Sequence, residues 1–134
     1  MDKDTLENGD VFSPRYDDKG LIPCITINAE NKEVLMFAYM NKESIELSLK
    51  TGEAHYWSRS RQEIWHKGAT SGMVQNIISM RTDCDQDCLI IEVEMPKDEN
   101  GTVTSCHTGR TSCFYREVLL NNPGEASLKF TEDI

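Results

Sequence analysis

The chain has 134 residues, with 14 Lys and Arg against 23 Asp and Glu, a formal net charge of −9. This length suits one domain with a core large enough to fold without disulfides, and the acidity argues against non-specific nucleic-acid binding. No apolar run approaches the ~20 residues of a membrane helix and the polar opening MDKDTLENGD lacks signal-peptide character, so a cytoplasmic protein with no membrane or nucleic-acid partner is expected.

Taken in chain order, residues 1–18 form a polar segment carrying six acids and expected to be loose. LIPCITINA (21–29) and EVLMFAYM (33–40) read as strands joined by ENK into a hairpin. NKESIELSLKTG (41–52) reads as a helix, with Asn41 as N-cap, Ile45 and Leu49 one turn apart, and Gly52 as the stop. AHYWSRS (54–60) is a short strand, and RQEIWHKGATSG (61–72) a glycine-punctuated loop with some helical potential. MVQNIISMR (73–81) favours strand over helix, and CLIIEVEM (88–95), rich in β-branched residues, is the clearest strand. PKDENG (96–101) is a turn, followed by extended TVTSC and CFYREVLL. The expected fold is α+β, a mostly antiparallel sheet with few helices, occupying residues 19–120, with 121–134 a poorly ordered tail.

Chemistry concentrates in DCDQD (83–87), which interleaves Asp83, Asp85 and Asp87 with Cys84, and Cys88 follows. In an extended chain the acids share one face and the thiols the other. Oxygen donors suit Mg²⁺ or Ca²⁺ and thiolates suit Zn²⁺, so two metals are better served than one. An EF-hand register also fits Asp83, Asp85, Asp87 and Glu94, but it needs glycine where Cys88 stands, and a helix where the sequence reads strand. The five cysteines are an odd set, and reduced cytoplasmic thiols favour metal over disulfide. A hairpin turning near residues 98–99 would place Cys84 roughly opposite Cys113, so that the thiols of this window, Cys106 among them, could converge. Cys24, in an apolar strand, reads as a core residue. From spacing alone, a zinc site here could be structural with four thiolates or catalytic with three and an open position.

Seven of the 14 basic residues fall between Arg59 and Arg116. HYWSRSRQEIWHKGATSG (55–72) sets Arg59, Arg61, His66 and Lys67 among hydroxyls and glycines suited to phosphate, and Trp57 or Trp65 could stack on a flat heterocycle. His107 directly follows Cys106, where a histidine could move protons near neutral pH.

Together SRSR (58–61), WHKGATSG (65–72), DCDQD (83–87) and CHTGRTSCFYR (106–116) resemble the phosphoribosyl-AMP cyclohydrolases of histidine biosynthesis, over about residues 21–118. The resemblance implies an intertwined homodimer with Zn²⁺ and Mg²⁺ that opens the purine ring of N1-(5-phosphoribosyl)-AMP at N1–C6, by attack of zinc-bound hydroxide on C6. It implies zinc on Cys84, Cys106 and Cys113, with Cys84 supplied across the dimer, and magnesium on Asp83, Asp85 and Asp87. That sharing displaces the hairpin expectation for Cys84. His107 is the expected proton carrier, and Trp57, Arg59, Arg61, His66, Lys67, Ser71 and Arg110 are the expected substrate contacts. Two departures stand out: Cys88, where many relatives carry a small residue, and Ala69, where many carry an acid. With nothing after residue 120 able to form a pyrophosphohydrolase domain, that activity is expected on another protein. The competing expectation is a zinc-stabilised binding module, which would use Cys88 as a fourth thiolate.

Overall fold

The computed structural model describes residues 2–120 and 124–133. The elements, in order, are α1 (Lys3–Asn8), β1 (Ile22–Asn28), β2 (Val34–Met40), α2 (Lys42–Thr51), β3 (His55–Ser58), β4 (Glu63–His66), β5 (Asn76–Thr82), β6 (Leu89–Glu94), β7 (Arg116–Val118) and β8 (Leu128–Phe130). Six strands form one sheet in the order β4-β3-β2-β1-β6-β5, and β7 pairs with β8 in a separate ribbon. Every pair in the large sheet is antiparallel except β1 with β6. The fold is therefore α+β with few helices, as expected. Among the described residues no helix is long and apolar enough to cross a membrane.

Strand alternation builds the core. Along β6, Leu89, Ile91 and Val93 are fully buried, while Ile90, Glu92 and Glu94 turn outward. Ile22, Cys24, Leu35, Met36, Met40 and Tyr56 complete the layer, confirming Cys24 as a core residue. The Tyr56 hydroxyl is buried with them, bonded to Thr26 Oγ1 (2.7 Å) and donating to Gln75 Oε1 (2.5 Å). Helix α2 begins where expected: Asn41 Oδ1 accepts from the Ser44 amide and Ser44 Oγ from the Asn41 amide, both at 2.8 Å, and Gly52 ends it in the left-handed region (φ 77). Its buried face is polar as well as apolar. Ser44, Ile45 and Ser48 are buried whereas Leu49 is exposed, and Ser48 Oγ accepts from the His55 amide at 2.9 Å, fixing the start of β3.

Several expectations are corrected. Residues 63–66 are an edge strand rather than loop or helix, held by the β3 register Trp57 to Ile64 and His55 to His66. Residues 96–106 do not return along β6, whose neighbours are β5 and β1, so Cys84 does not face Cys113. TVTSC is not a strand, and only residues 116–118 of CFYREVLL are. The N-terminal segment holds a capped helix, with Asp2 accepting from the Thr5 amide. The tail contributes β8, paired from Leu128 to Phe130 against Val118 to Arg116. Met1, Asn121 to Pro123 and Ile134 of those two segments lie outside the described residues.

Candidate functional site

The β5–β6 connection carries the acids. It is a turn rather than extended chain: the Gln86 amide donates to the Asp83 carbonyl and the Asp83 amide to the Cys88 carbonyl, each at 3.2 Å, with Gln86 at φ 57. Two-face alternation therefore does not apply, yet the turn still gathers Asp83, Asp85 and Asp87, each offering an oxygen within 4.8 Å of the others. Asp83 Oδ1 accepts from the amides of Asp87 (3.0 Å) and Cys88 (3.1 Å). Slight burial raises the Asp83 carboxyl, but hydrogen bonds from Asp87, Asp85 and those amides outweigh it and hold it below its usual range. Asp87 is the complement: its hydrogen bonds to Asp85 and Asp83, with their charge, push it up to about 6. A hard divalent cation fits this all-oxygen set.

Gln86 ties this turn to the N-terminus. Its side chain is buried, accepts from the Ser13 amide (2.7 Å) and donates to the Leu6 (3.1 Å) and Val11 (3.2 Å) carbonyls, while its own carbonyl accepts from Arg15 N. Cys84 is exposed there, on grooves lined also by Leu6, Val11, Phe12, Arg15 and Leu49.

The other thiols lie on the 105–113 loop. The Cys113 amide donates to the Leu35 carbonyl (2.7 Å) and Ser112 Oγ to the Val34 carbonyl (2.7 Å), stitching the loop to β2. The Gly109 amide donates to the Cys106 carbonyl and the Cys106 amide to the Arg110 carbonyl, both at 3.0 Å, and the Ser105 amide closes the loop onto the Thr111 carbonyl at 3.2 Å, with the Cys106 and Cys113 thiols in hydrogen-bonding reach of each other. Burial raises Cys106, but donation from Thr108 (Oγ1 to Sγ 3.0 Å) and Cys113, with Lys67 nearby, leaves it below the usual thiol value. Desolvation and the Cys106 thiolate push Cys113 up to about 11. Lys67 Nζ donates to the Ser105 carbonyl at 2.5 Å, and burial lowers its pKa against the opposing pull of Cys113 and Cys106. These thiols offer two soft donors to zinc. Among the described residues no third ligand joins them, the acid trio being the only three-ligand group.

Beside this pair opens a cleft of about 700 Å³, lined in part by Ser58, Arg61, Trp65, His66, Lys67, Ala69, Ser105, His107 and Cys113. Gly68 shapes its wall: at φ 85, an added Cβ would meet the Met73 carbonyl carbon at 2.2 Å, so the KGATSG turn requires glycine. The cleft thus unites Arg61, His66, Lys67, His107 and Cys113 of the expected set. It does not unite the rest. Trp57 lies in register with Tyr39 and Ile64, Arg59 stacks over Tyr39 (4.2 Å), and Ser71 Oγ accepts from the Met73 amide. Arg110 packs over Tyr115 (3.9 Å) and donates to the Glu132 carbonyl. Trp65, not Trp57, is the indole lining the cleft, and the Lys67 ammonium lies 5.1 Å from its centroid.

Two carboxylates escaped the sequence reading. Glu53 accepts from His66 Nε2 at 2.7 Å, while His55 stacks on His66 (4.2 Å, 8°) and its Nδ1–H donates to the Glu53 carbonyl at 2.8 Å. This contact depends on the antiparallel register of β3 with β4, which sets His55 opposite His66 and which no local pattern announces. Glu132 accepts from the Thr111 amide (2.7 Å), a contact that no local pattern announces. Cys88 remains in the acid turn, half-buried, with its thiol 3.9 Å from the Leu89 carbonyl.

Comparison with known proteins defines the class as a hydrolase. The profile of the phosphoribosyl-AMP cyclohydrolases matches residues 36–115. Curated proteins named phosphoribosyl-AMP cyclohydrolase are similar over nearly the whole chain: one from Brucella anthropi is 50% identical over 95% of this chain and 86% of its own. One from Agrobacterium fabrum is 49% identical over 98% and 85%, and one from Brucella canis 48% identical over 98% and 91%. The chain belongs to the phosphoribosyl-AMP cyclohydrolase family.

Proposed function

We propose that this enzyme hydrolyses the N1–C6 bond of N1-(5-phosphoribosyl)-AMP, the third step of histidine biosynthesis, as a cytoplasmic homodimer using Zn²⁺ and Mg²⁺. The observation that carries this reading is one cleft holding Cys113, His107, Lys67 and Arg61 together. Cys106 and Cys113 would hold zinc with Cys84 of a second copy, since Cys84 of the same chain stands apart with the acid turn, and Asp83, Asp85 and Asp87 would hold magnesium. When bound, zinc would bring the pKa of a water toward ~7 and magnesium would offset substrate negative charge.

The chain's own residues supply the rest. Arg61 and Lys67 give the cleft fixed positive charge for phosphate oxygens. Trp65, at the wall, offers a face for the purine. Water oxygen bonds to C6, giving a tetrahedral carbon, with one of its protons passing to His107 and the other to the exocyclic nitrogen as the carbonyl forms. Collapse breaks C6–N1, with the electron pair and one proton going to N1. His107, which lines the cleft and follows Cys106 in the chain, would deliver that proton. Ribosylation of N1 makes C6 electron-poor, so the chemistry asks only for a nucleophile and a proton at neutral pH.

His107→Asn separates binding from chemistry. The reading expects kcat to fall by about 10²-fold or more with KM little changed, in the range general acid catalysis contributes. Unchanged kcat would remove His107 from the proton path.

A further inference from the structure

The 105–113 loop that carries Cys106 and Cys113 is fixed on one side by β2, through the Leu35 and Val34 carbonyls. Its opposite side is held by the chain's last described residues. Both carboxylate oxygens of Glu132 accept from the loop, from the amides of Thr111 (2.7 Å) and Ser112 (3.4 Å). The Glu132 backbone carbonyl also accepts from Arg110 Nε at 3.1 Å. The Arg110 guanidinium lies 3.9 Å from the Tyr115 centroid and 5.3 Å from that of Phe130, and these two rings stack at 6.0 Å. The Thr131 amide donates to the Tyr115 carbonyl, continuing the β7–β8 pairing to the point where Glu132 reaches the loop. All these anchors on the loop side fall between the two cysteines or just after the second.

From this we infer that Glu132 is a positioning residue for the thiolate pair. Strand β8 delivers it, and its carboxylate fixes the Thr111 and Ser112 amides so that Cys113 stays against Cys106. The inference rests on the reading of Cys106 and Cys113 as metal thiolates. Nothing in the family profile's span, which ends at residue 115, contains this carboxylate. The physical logic is that of ligand orientation: groups hydrogen-bonded behind the donors set metal affinity without touching the metal, commonly by 10–100-fold. The 2.7 Å bond from the Thr111 amide is short and charge-assisted and carries the brace, with the longer 3.4 Å contact from the Ser112 amide beside it.

The test uses the full chain. Zinc affinity is measured by competition with a chromophoric chelator for wild type, Glu132→Ala and Glu132→Gln, and magnesium affinity is measured on the same samples. The expected result is zinc binding about tenfold or more weaker in Glu132→Ala, with Glu132→Gln between it and wild type and magnesium affinity unchanged in all three. Equal zinc affinity in wild type and Glu132→Ala would overturn the positioning role while leaving the thiolate reading intact. A folded wild type that binds no zinc through its thiols would overturn both. Hydrogen exchange on the unsubstituted chain gives a test independent of any folding defect. The Thr111 and Ser112 amides must be protected together with that of Thr131, and exchange at solvent rates would overturn the brace.

Discussion

His66 Nε2 donates to Glu53 Oε1 at 2.7 Å across the β3–β4 edge, and the His66 ring lies flat on His55 at 4.2 Å. The pair fixes the orientation of a histidine on the cleft wall. Both side chains are about one-third exposed, at 37% and 33%, so the bond is worth the modest energy of a solvated pair. Glu53→Gln should therefore raise KM for the nucleotide roughly two- to fivefold with kcat nearly constant, equivalent to about 0.4–1 kcal/mol. Steady-state kinetics check this, and a kcat loss without a KM change would show that His66 acts in the chemistry instead.

Lys67 is held differently. Its ammonium is partly buried, donates to the Ser105 carbonyl at 2.5 Å and lies near both thiols of the 105–113 loop. Lys67→Met removes a charged donor from a desolvated position, and hydrogen bonds to charged groups contribute about 1.5–3 kcal/mol. A roughly 10- to 100-fold loss in kcat/KM is expected. Retention of wild-type kcat/KM would take Lys67 out of substrate binding.

The buried hydroxyl of Tyr56 offers a stability test away from the cleft. It joins Thr26 and Gln75, and all three residues are fully buried. Tyr56→Phe leaves Thr26 and Gln75 short of a partner, costing about 1–3 kcal/mol. Urea unfolding should show the midpoint shift with an unchanged slope.

The acid turn predicts a pH-dependent cation affinity. Asp87 is raised to about 6 by its carboxylate neighbours, so in the cation-free protein it is protonated below that pH and ionised above it. A divalent cation must displace the proton, so Mg²⁺ affinity should be flat above about pH 7 and fall up to tenfold per unit below pH 6. The stability sign agrees: a carboxylate raised in the folded state favours folding at low pH, and this contribution is lost as pH rises through about 6. Mg²⁺ should therefore raise the melting temperature more at pH 7.5 than at pH 5. Calorimetric titration at the two pH values measures the first effect, and thermal melts the second.

Local signals made α2 and the strands β1, β2, β3, β5 and β6 legible. Asn41 and Gly52 bound α2 as their capping chemistry requires, and the alternation of Leu89, Ile91 and Val93 marks β6. What escaped was non-local. The parallel pairing of β1 with β6 joins Cys24 to Leu89 across the intervening chain, and no periodicity announces it. Strand β4 holds only two apolar residues, one of them exposed Trp65, and it exists because β3 offers it an edge. Strand β8 depends likewise on β7. At the site, residue types were legible where the motifs lie together, as in Asp83, Asp85 and Asp87. The geometry was not: Gln86 adopts φ 57 and makes a turn of a stretch that alternation reads as extended. Arg59 and Arg110 fit phosphate by type, but stack on Tyr39 and Tyr115.

The most direct measurement follows ring opening of N1-(5-phosphoribosyl)-AMP by its ultraviolet change, with Mg²⁺ present. The purified chain is assayed as isolated, after treatment with a zinc chelator, and after zinc is restored. Turnover is expected as isolated, with its loss on chelation and its return with zinc. Folded, zinc-loaded protein that leaves the substrate intact would contradict the account, and full turnover after complete zinc removal would contradict the role given to Cys106 and Cys113.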